Sequence, residues 1–164
     1  MPDFVSKIRV PVRVSRANEP PLDAVICLAP SAPVHSGPET ILERLNAPDR
    51  VVPLEPVQGD AIMLVSRHDL EWVAPRPGVD LKLIGPATFR VTHQERVHVR
   101  MCSGERLEGV IQMELPDGYN RVSDFLNESD DFFPFATADG VMLVNKFAVR
   151  EVALFEPSPL PERR

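Results

Sequence analysis

The sequence predicts a mainly β protein: two tandem small barrels of bent strands, each carrying one short helix. Three observations lead there. The chain is written twice. Each copy reads as short alternating strands separated by turn residues. Proline supplies 18 of 164 residues, about twice the usual ~5 percent, which disfavours long helices and long central strands.

The duplication rests on three ungapped blocks. Residues 12–28 align with 97–113, where Val12, Val14, Leu22, Val25 and Ile26 recur as Val97, Val99, Leu107, Val110 and Ile111. Residues 41–54 align with 122–135, with Leu45, Asn46, Asp49 and Pro53 recurring as Leu126, Asn127, Asp130 and Pro134. Residues 60–73 align with 139–152, with Asp60, Met63, Leu64, Val65 and Val73 recurring as Asp139, Met142, Leu143, Val144 and Val152. The expected units are 1–76 and 89–157, joined by a connector at 77–88 and followed by a proline-rich tail at 158–164. Units this short bury only ~60 percent of their unfolded surface, so the two should pack on each other or share strands.

The second copy is the easier to read. Val97, Val99 and Met101 alternate with His98, Arg100 and Cys102, a half-buried strand, and Ser103-Gly104 turns it. Leu107, Gly109, Ile111, Met113 and Leu115 share one face of the next strand. Gly109 inside it marks a bend or a close backbone approach. Pro116-Asp117-Gly118 ends the strand. Val122, Phe125 and Leu126 then fall on one face of a short helix, with Asn120 as its N-cap and Asn127 as its terminator. Phe132-Phe133-Pro134-Phe135 reads as an edge strand because of its proline. Its three rings cannot all face inward from one strand: the plainer expectation is burial beneath the short helix, and an exposed ring would suggest an interface. Val141–Val144 reads as buried on both faces, and Val149, Val152 and Leu154 as the last strand. The first copy repeats this order through 12–16, 22–28, a helix near Ile41 and Leu45 ending at Asn46, 50–54, 62–65 and 70–73. Leu81, Leu83 and Ile84 in the connector alternate as an added strand would. Of the prolines, 13 lie in residues 1–88, so the excess belongs to the loops and edges of the first copy and to the tail.

The run Val97-His98-Val99-Arg100, the turn, Leu107-Glu108-Gly109-Val110-Ile111 and the ending Val141-Met142-Leu143-Val144-Asn145-Lys146 resemble Sm-like small barrels, with SH3-like barrels sharing the architecture. The resemblance covers most of each copy. It implies RNA binding through an Asp…Asn loop and a basic pair, for which this chain offers Asp124, Asn127 and Asn145-Lys146. The residues Gly104, Leu107, Gly109, Arg121, Ser123, Asp124, Leu126, Asn127, Val144, Asn145 and Lys146 are also similar to an uncharacterised bacterial domain family, which supplies no activity to carry over.

Charge restricts the function. The net charge is −6 and the pI about 5.2, whereas nucleic-acid binders carry a basic face that neutralises phosphate. No apolar run is long enough to span a bilayer, and Met1-Pro2-Asp3-Phe4 does not open a signal segment. Cys27 and Cys102 make neither a disulfide framework nor a metal site and read as reduced thiols, hence a cytoplasmic location. His35, His68, His93 and His98 lack chelating spacing. Glu128, Asp130 and Asp131 lack the order of a calcium loop. Ser123 and Asp124 suit a first helical turn and sit in no nucleophile elbow. The pattern asks for no cofactor.

The expectation is a non-enzymatic protein–protein interaction module, an adaptor or regulatory subunit. Its surface lies in the second copy, around Arg121, Asp124, Asn127, Asn145 and Lys146, and the first copy stabilises the second. Exposed strand edges would allow homo-oligomers, and Pro157–Pro161 a polyproline segment for a partner groove. The alternatives are an Sm-like RNA-binding protein and a small-molecule sensor or enzyme with a site between the repeats.

Overall fold

Short apolar-rich segments build ten strands among the described residues, and all of them join one antiparallel sheet. The computed structural model describes residues 7–32, 35–85, 91–113 and 122–155. In chain order the elements are β1 (Ile8–Arg16), β2 (Leu22–Leu28), α1 (Ile41–Asn46), β3 (Val51–Pro56), β4 (Met63–Ser66), β5 (Leu70–Pro75), β6 (His93–Met101), β7 (Arg106–Met113), α2 (Val122–Glu128), β8 (Phe132–Thr137), β9 (Gly140–Asn145) and β10 (Val149–Leu154). Short 3-10 turns at Arg67–Asp69 and Lys146–Ala148 link β4 to β5 and β9 to β10. The Asn120 cap, the Pro116–Gly118 turn and the proline-rich tail lie outside the described residues.

The strand order is β10-β6-β7-β8-β9-β5-β1-β2-β3-β4. It reads as two five-stranded halves of identical order, β5-β1-β2-β3-β4 and β10-β6-β7-β8-β9, joined where β5 pairs with β9. Among the described residues the sheet does not close: β4 and β10 are its outer strands. The equivalent β1·β5 and β6·β10 ladders of the two halves each carry a register shift, after Ser15 and after Val149, which bends the strands.

Each half surrounds its own apolar cluster. The first gathers Val10, Val12, Val14, Ile26, Leu28, Ile41, Leu45 and Leu54. The second gathers Val97, Val99, Met101, Ile111, Met113, Phe125, Phe133 and Phe135. The clusters exchange residues at the junction. Phe132 and Leu143 belong to the first cluster, and Trp72 to the second. Phe132 is the ring that faces away from its own half, and its interface is internal. Gly109 sits where a Cβ would lie 2.2 Å from the Ala136 carbonyl oxygen, the close approach its place in a strand foretells.

Several expectations are corrected. Pro53 and Pro134 do not mark edge strands, since β3 lies between β2 and β4 and β8 between β7 and β9. The β2·β3 ladder stops at Leu54 and the β7·β8 ladder at Phe135. Each proline therefore falls one residue beyond the ladder, where no amide donor is needed. The connector is no strand: Leu81–Leu83 forms a 3-10 turn started by the Asp80 carboxylate, which accepts from the Lys82 amide at 2.9 Å. Its Leu83 and Ile84 pack on the first cluster. Neither Asn46 nor Asn127 ends its helix in the left-handed region; among non-glycine described residues only Asn18, in the β1–β2 turn, has positive φ. Cys27 is half-buried and Cys102 exposed, and both are free.

Candidate functional site

The junction between the halves explains the shape of the candidate site. On the N-terminal half, α1, the 67–69 turn and β5 form one face, and β8, β9 and the 146–148 turn cover it. Trp72 pairs with Val144 and Val73 with Leu143. Asn46 reaches across and clamps the backbone of Phe132. Its Nδ2 donates to the Phe132 carbonyl at 3.1 Å and its Oδ1 accepts from the Phe132 amide at 2.8 Å. Arg67 Nη1 meets Asp131 Oδ2 at 2.6 Å and also donates to the Leu45 carbonyl. The Trp72 indole donates to Glu105 Oε1 at 2.6 Å. The His68 and Phe147 rings meet edge to face, 5.8 Å between centroids.

Among the described residues nothing covers the corresponding face of the C-terminal half. There α2, the 146–148 turn and β10 border a groove of about 760 Å³. Its helical wall presents Val122, Ser123, Leu126 and Asn127, and its floor is β10 with Val149, Val152 and Leu154. Lys146 and Phe147 close one end. Phe147 and Leu154 are exposed. Most of the lining surface is apolar, and among the described residues no strand pairs with the outer side of β10, which presents its backbone groups there.

The five residues singled out from the sequence separate in space. Asn127 and Lys146 both line the groove. The Lys146 ammonium donates to the Ser129 carbonyl at 2.6 Å, pinning the chain just after α2. Asp124 stands on α2 but does not line the groove. Asn145 belongs elsewhere. It is buried, with its Nδ2 donating to the Leu70 carbonyl at 2.9 Å and its Oδ1 accepting from the Phe147 amide at 3.0 Å. It is a fastener of the junction, because an amide 1 % exposed must spend its polar groups on internal partners. Arg121 lies outside the described residues.

Sequence reasoning read Val149, Val152 and Leu154 as the last strand, which is β10, but assigned neither that strand nor Phe147 to the site. A signal existed: Phe147 is an apolar residue beside a polar strand end, aligned with His68. A smaller cavity of about 430 Å³ touches both halves; Trp72, Met142, Asp139, Arg13 and Arg76 are among its lining residues. Those two cations converge on Asp23, at 2.8 and 3.8 Å. Asp23 is held below the usual carboxylate range, first by its hydrogen bond with Arg13. Among the described residues no group of three or more His, Cys, Asp or Glu could hold a metal ion. Among the same residues no helix is long and apolar enough to cross a membrane. No protein-family model, curated protein or solved structure matches the chain.

Proposed function

We propose that the chain is a non-enzymatic protein–protein interaction module, an adaptor or regulatory subunit, that captures its partner by strand addition in the groove between α2 and β10. In this reading the halves are copies of one small bent-strand barrel of the Sm-like or SH3-like kind. The N-terminal copy is the stabilising one and the C-terminal copy binds.

One observation carries the proposal. The groove is the counterpart of a face that, in the N-terminal half, already holds a strand hairpin, β8–β9. A strand laid along β10 would gain backbone hydrogen bonds from the edge, while Val122, Leu126 and Val152 would receive alternate side chains. Asn127, aligned with Asn46, is placed to clamp the incoming backbone. The net charge of −6 weighs against phosphate as the ligand.

The test is affinity capture from native lysate with the full chain, beside Asn127→Ala and Val152→Lys. The proposal expects a protein that both substitutions release, and slowed amide exchange across Val149–Leu154 when that protein is bound. A partner that both variants retain, or unchanged exchange along β10, overturns it.

A further inference from the structure

Building on the strand-capture reading, we infer that the groove's occupant is the β3–β4 edge of a second copy of the chain, so that chains associate head to tail through the contact that already joins their own halves.

The internal junction supplies the template. It inserts Phe132 and Leu143 of the C-terminal half into the first cluster, where they are 2 % and 0 % exposed. The aligned residues of the N-terminal half are Val51 and Leu64. These are 40 % and 67 % exposed. Leucine at the same repeat position is thus buried where the edge is paired and bare where it is free. The neighbouring Ile62 is 61 % exposed as well. Natural edge strands are blunted by charge, proline or shortness. Here β4 reads Met-Leu-Val-Ser with neither charge nor proline, and only its four residues protect it. The receiving side repeats too. Val152 stands where Val73 stands, and Asn127 where Asn46 stands.

Register follows from the internal pairs. Trp72↔Val144 and Val73↔Leu143 become Glu151↔Val65 and Val152↔Leu64 between chains. Two changes accompany the swap. Trp72, which shares the second cluster with Met101, is replaced by Glu151, and Met101 by Arg16. An apolar pair becomes an opposite-charge pair, and Arg16 Nε is buried without a hydrogen-bond partner in the single chain. The remaining charge contact is unfavourable. Arg67–Asp131 becomes Lys146 facing Arg50. The contact between chains is therefore the weaker version of the internal one and depends on concentration. Being heterologous, it builds a ring or an open filament rather than a two-fold dimer.

Sedimentation velocity of the full chain across roughly 1–200 μM is expected to show species heavier than 18.3 kDa that grow with concentration. Leu64→Glu, altered at an exposed side chain, keeps its circular dichroism and sediments as a monomer. Arg50→Asp restores an opposite charge beside Lys146 and tightens association roughly 2- to 5-fold; a folding defect cannot mimic that gain. Direction is read by oxidising a mixture of Leu64→Cys and Val152→Cys chains, each also carrying Cys27→Ser and Cys102→Ser. The mixture cross-links, and neither chain does so alone. A chain that stays monomeric throughout, or cross-linking as strong in either variant alone, overturns the inference. If the chain is monomeric yet a different protein is released by Val152→Lys, self-association fails and strand capture survives. If the chain is monomeric and captures nothing, both fail.

Discussion

One glycine and two asparagines show how much a few atoms decide in a sheet this tightly packed. At Gly109 a methyl group would sit 2.2 Å from the Ala136 carbonyl oxygen and 3.0 Å from two Phe135 ring carbons. The obstacle is backbone, which cannot rotate away, so β7 and β8 must separate. Gly109→Ala is expected to destabilise the chain by roughly 1–3 kcal/mol, the range for overpacked cores, read as a lower urea midpoint. An unchanged midpoint would mean that β7 and β8 lie further apart. The paired asparagines give a sharper contrast. Asn46 satisfies both backbone groups of Phe132, so Asn46→Ala strands a donor and an acceptor and removes about 1–3 kcal/mol. Asn127, in the aligned position, is exposed, and Asn127→Ala should stay within about 0.5 kcal/mol of the parent. Equal losses at the two sites would contradict the clamp assigned to Asn46. The role of Gly109 was legible because a glycine inside an alternating strand has few other reasons to be there. That of Asn46 was not, since its partner lies far along the chain and a helix-ending asparagine has a sufficient local explanation.

Helix α1 has only six residues, too few to persist on propensity alone, so its ends and its apolar face must hold it. Thr40 and Glu43 form a capping box: the Thr40 hydroxyl accepts from the Glu43 amide, and the Glu43 carboxylate accepts from the Thr40 amide at 3.0 Å. His35 closes over the same carboxylate, 2.6 Å from Nε2 to Oε1, while its Nδ1 faces the Ser36 carbonyl at 3.0 Å. With a proton on each nitrogen both contacts are donations. The hydrogen bond to Glu43 and then that to Ser36 raise the His35 pKa above its ordinary value. At Glu43 burial pushes upward, but the hydrogen bonds from His35 and Thr40 outweigh it, and the carboxyl ends below its usual range. The sign of the linkage follows. The His35 contribution is fully present below the ordinary histidine pKa and fades as pH rises through the higher folded value. His35→Gln is thus expected to lower the melting temperature more at pH 6 than at pH 9; an equal loss at both would refute the charged pair. At this scale the strands were legible from alternation. Their neighbours were not. Pro53 and Pro134 suggested edges, because a sequence shows that a donor is missing but not where a ladder stops. The connector misled for a similar reason: two alternating leucines fit a strand, and the Asp80 cap that winds them into a turn is a single local hydrogen bond.

For the whole molecule, the exchange of side chains between the two clusters sets how it unfolds. Phe132 and Leu143 complete the first cluster and Trp72 the second, so neither half can lose its core without exposing apolar surface of the other. That small units of alternating strands would lean on each other was an expectation legible in the sequence. The manner of leaning was not, because identical strand edges recur in both halves and only the folded chain shows which two meet. One cooperative transition is the consequence. The single tryptophan stands on β5 beside β9, so its fluorescence reports opening of the junction, while far-ultraviolet circular dichroism reports the sheet. The two melting curves should coincide; a fluorescence transition well below the dichroic one would mean that the halves part before they unfold. The leucine pair tests the same coupling energetically. Leu143→Ala empties a fully buried site and should destabilise both signals together by about 2–5 kcal/mol. Leu64→Ala removes the same atoms from the free edge, where an exposed side chain stabilises little, and the isolated chain should unfold within about 0.5 kcal/mol of the parent. If the two substitutions were equivalent, pairing of β5 with β9 would not be what separates the buried leucine from the bare one.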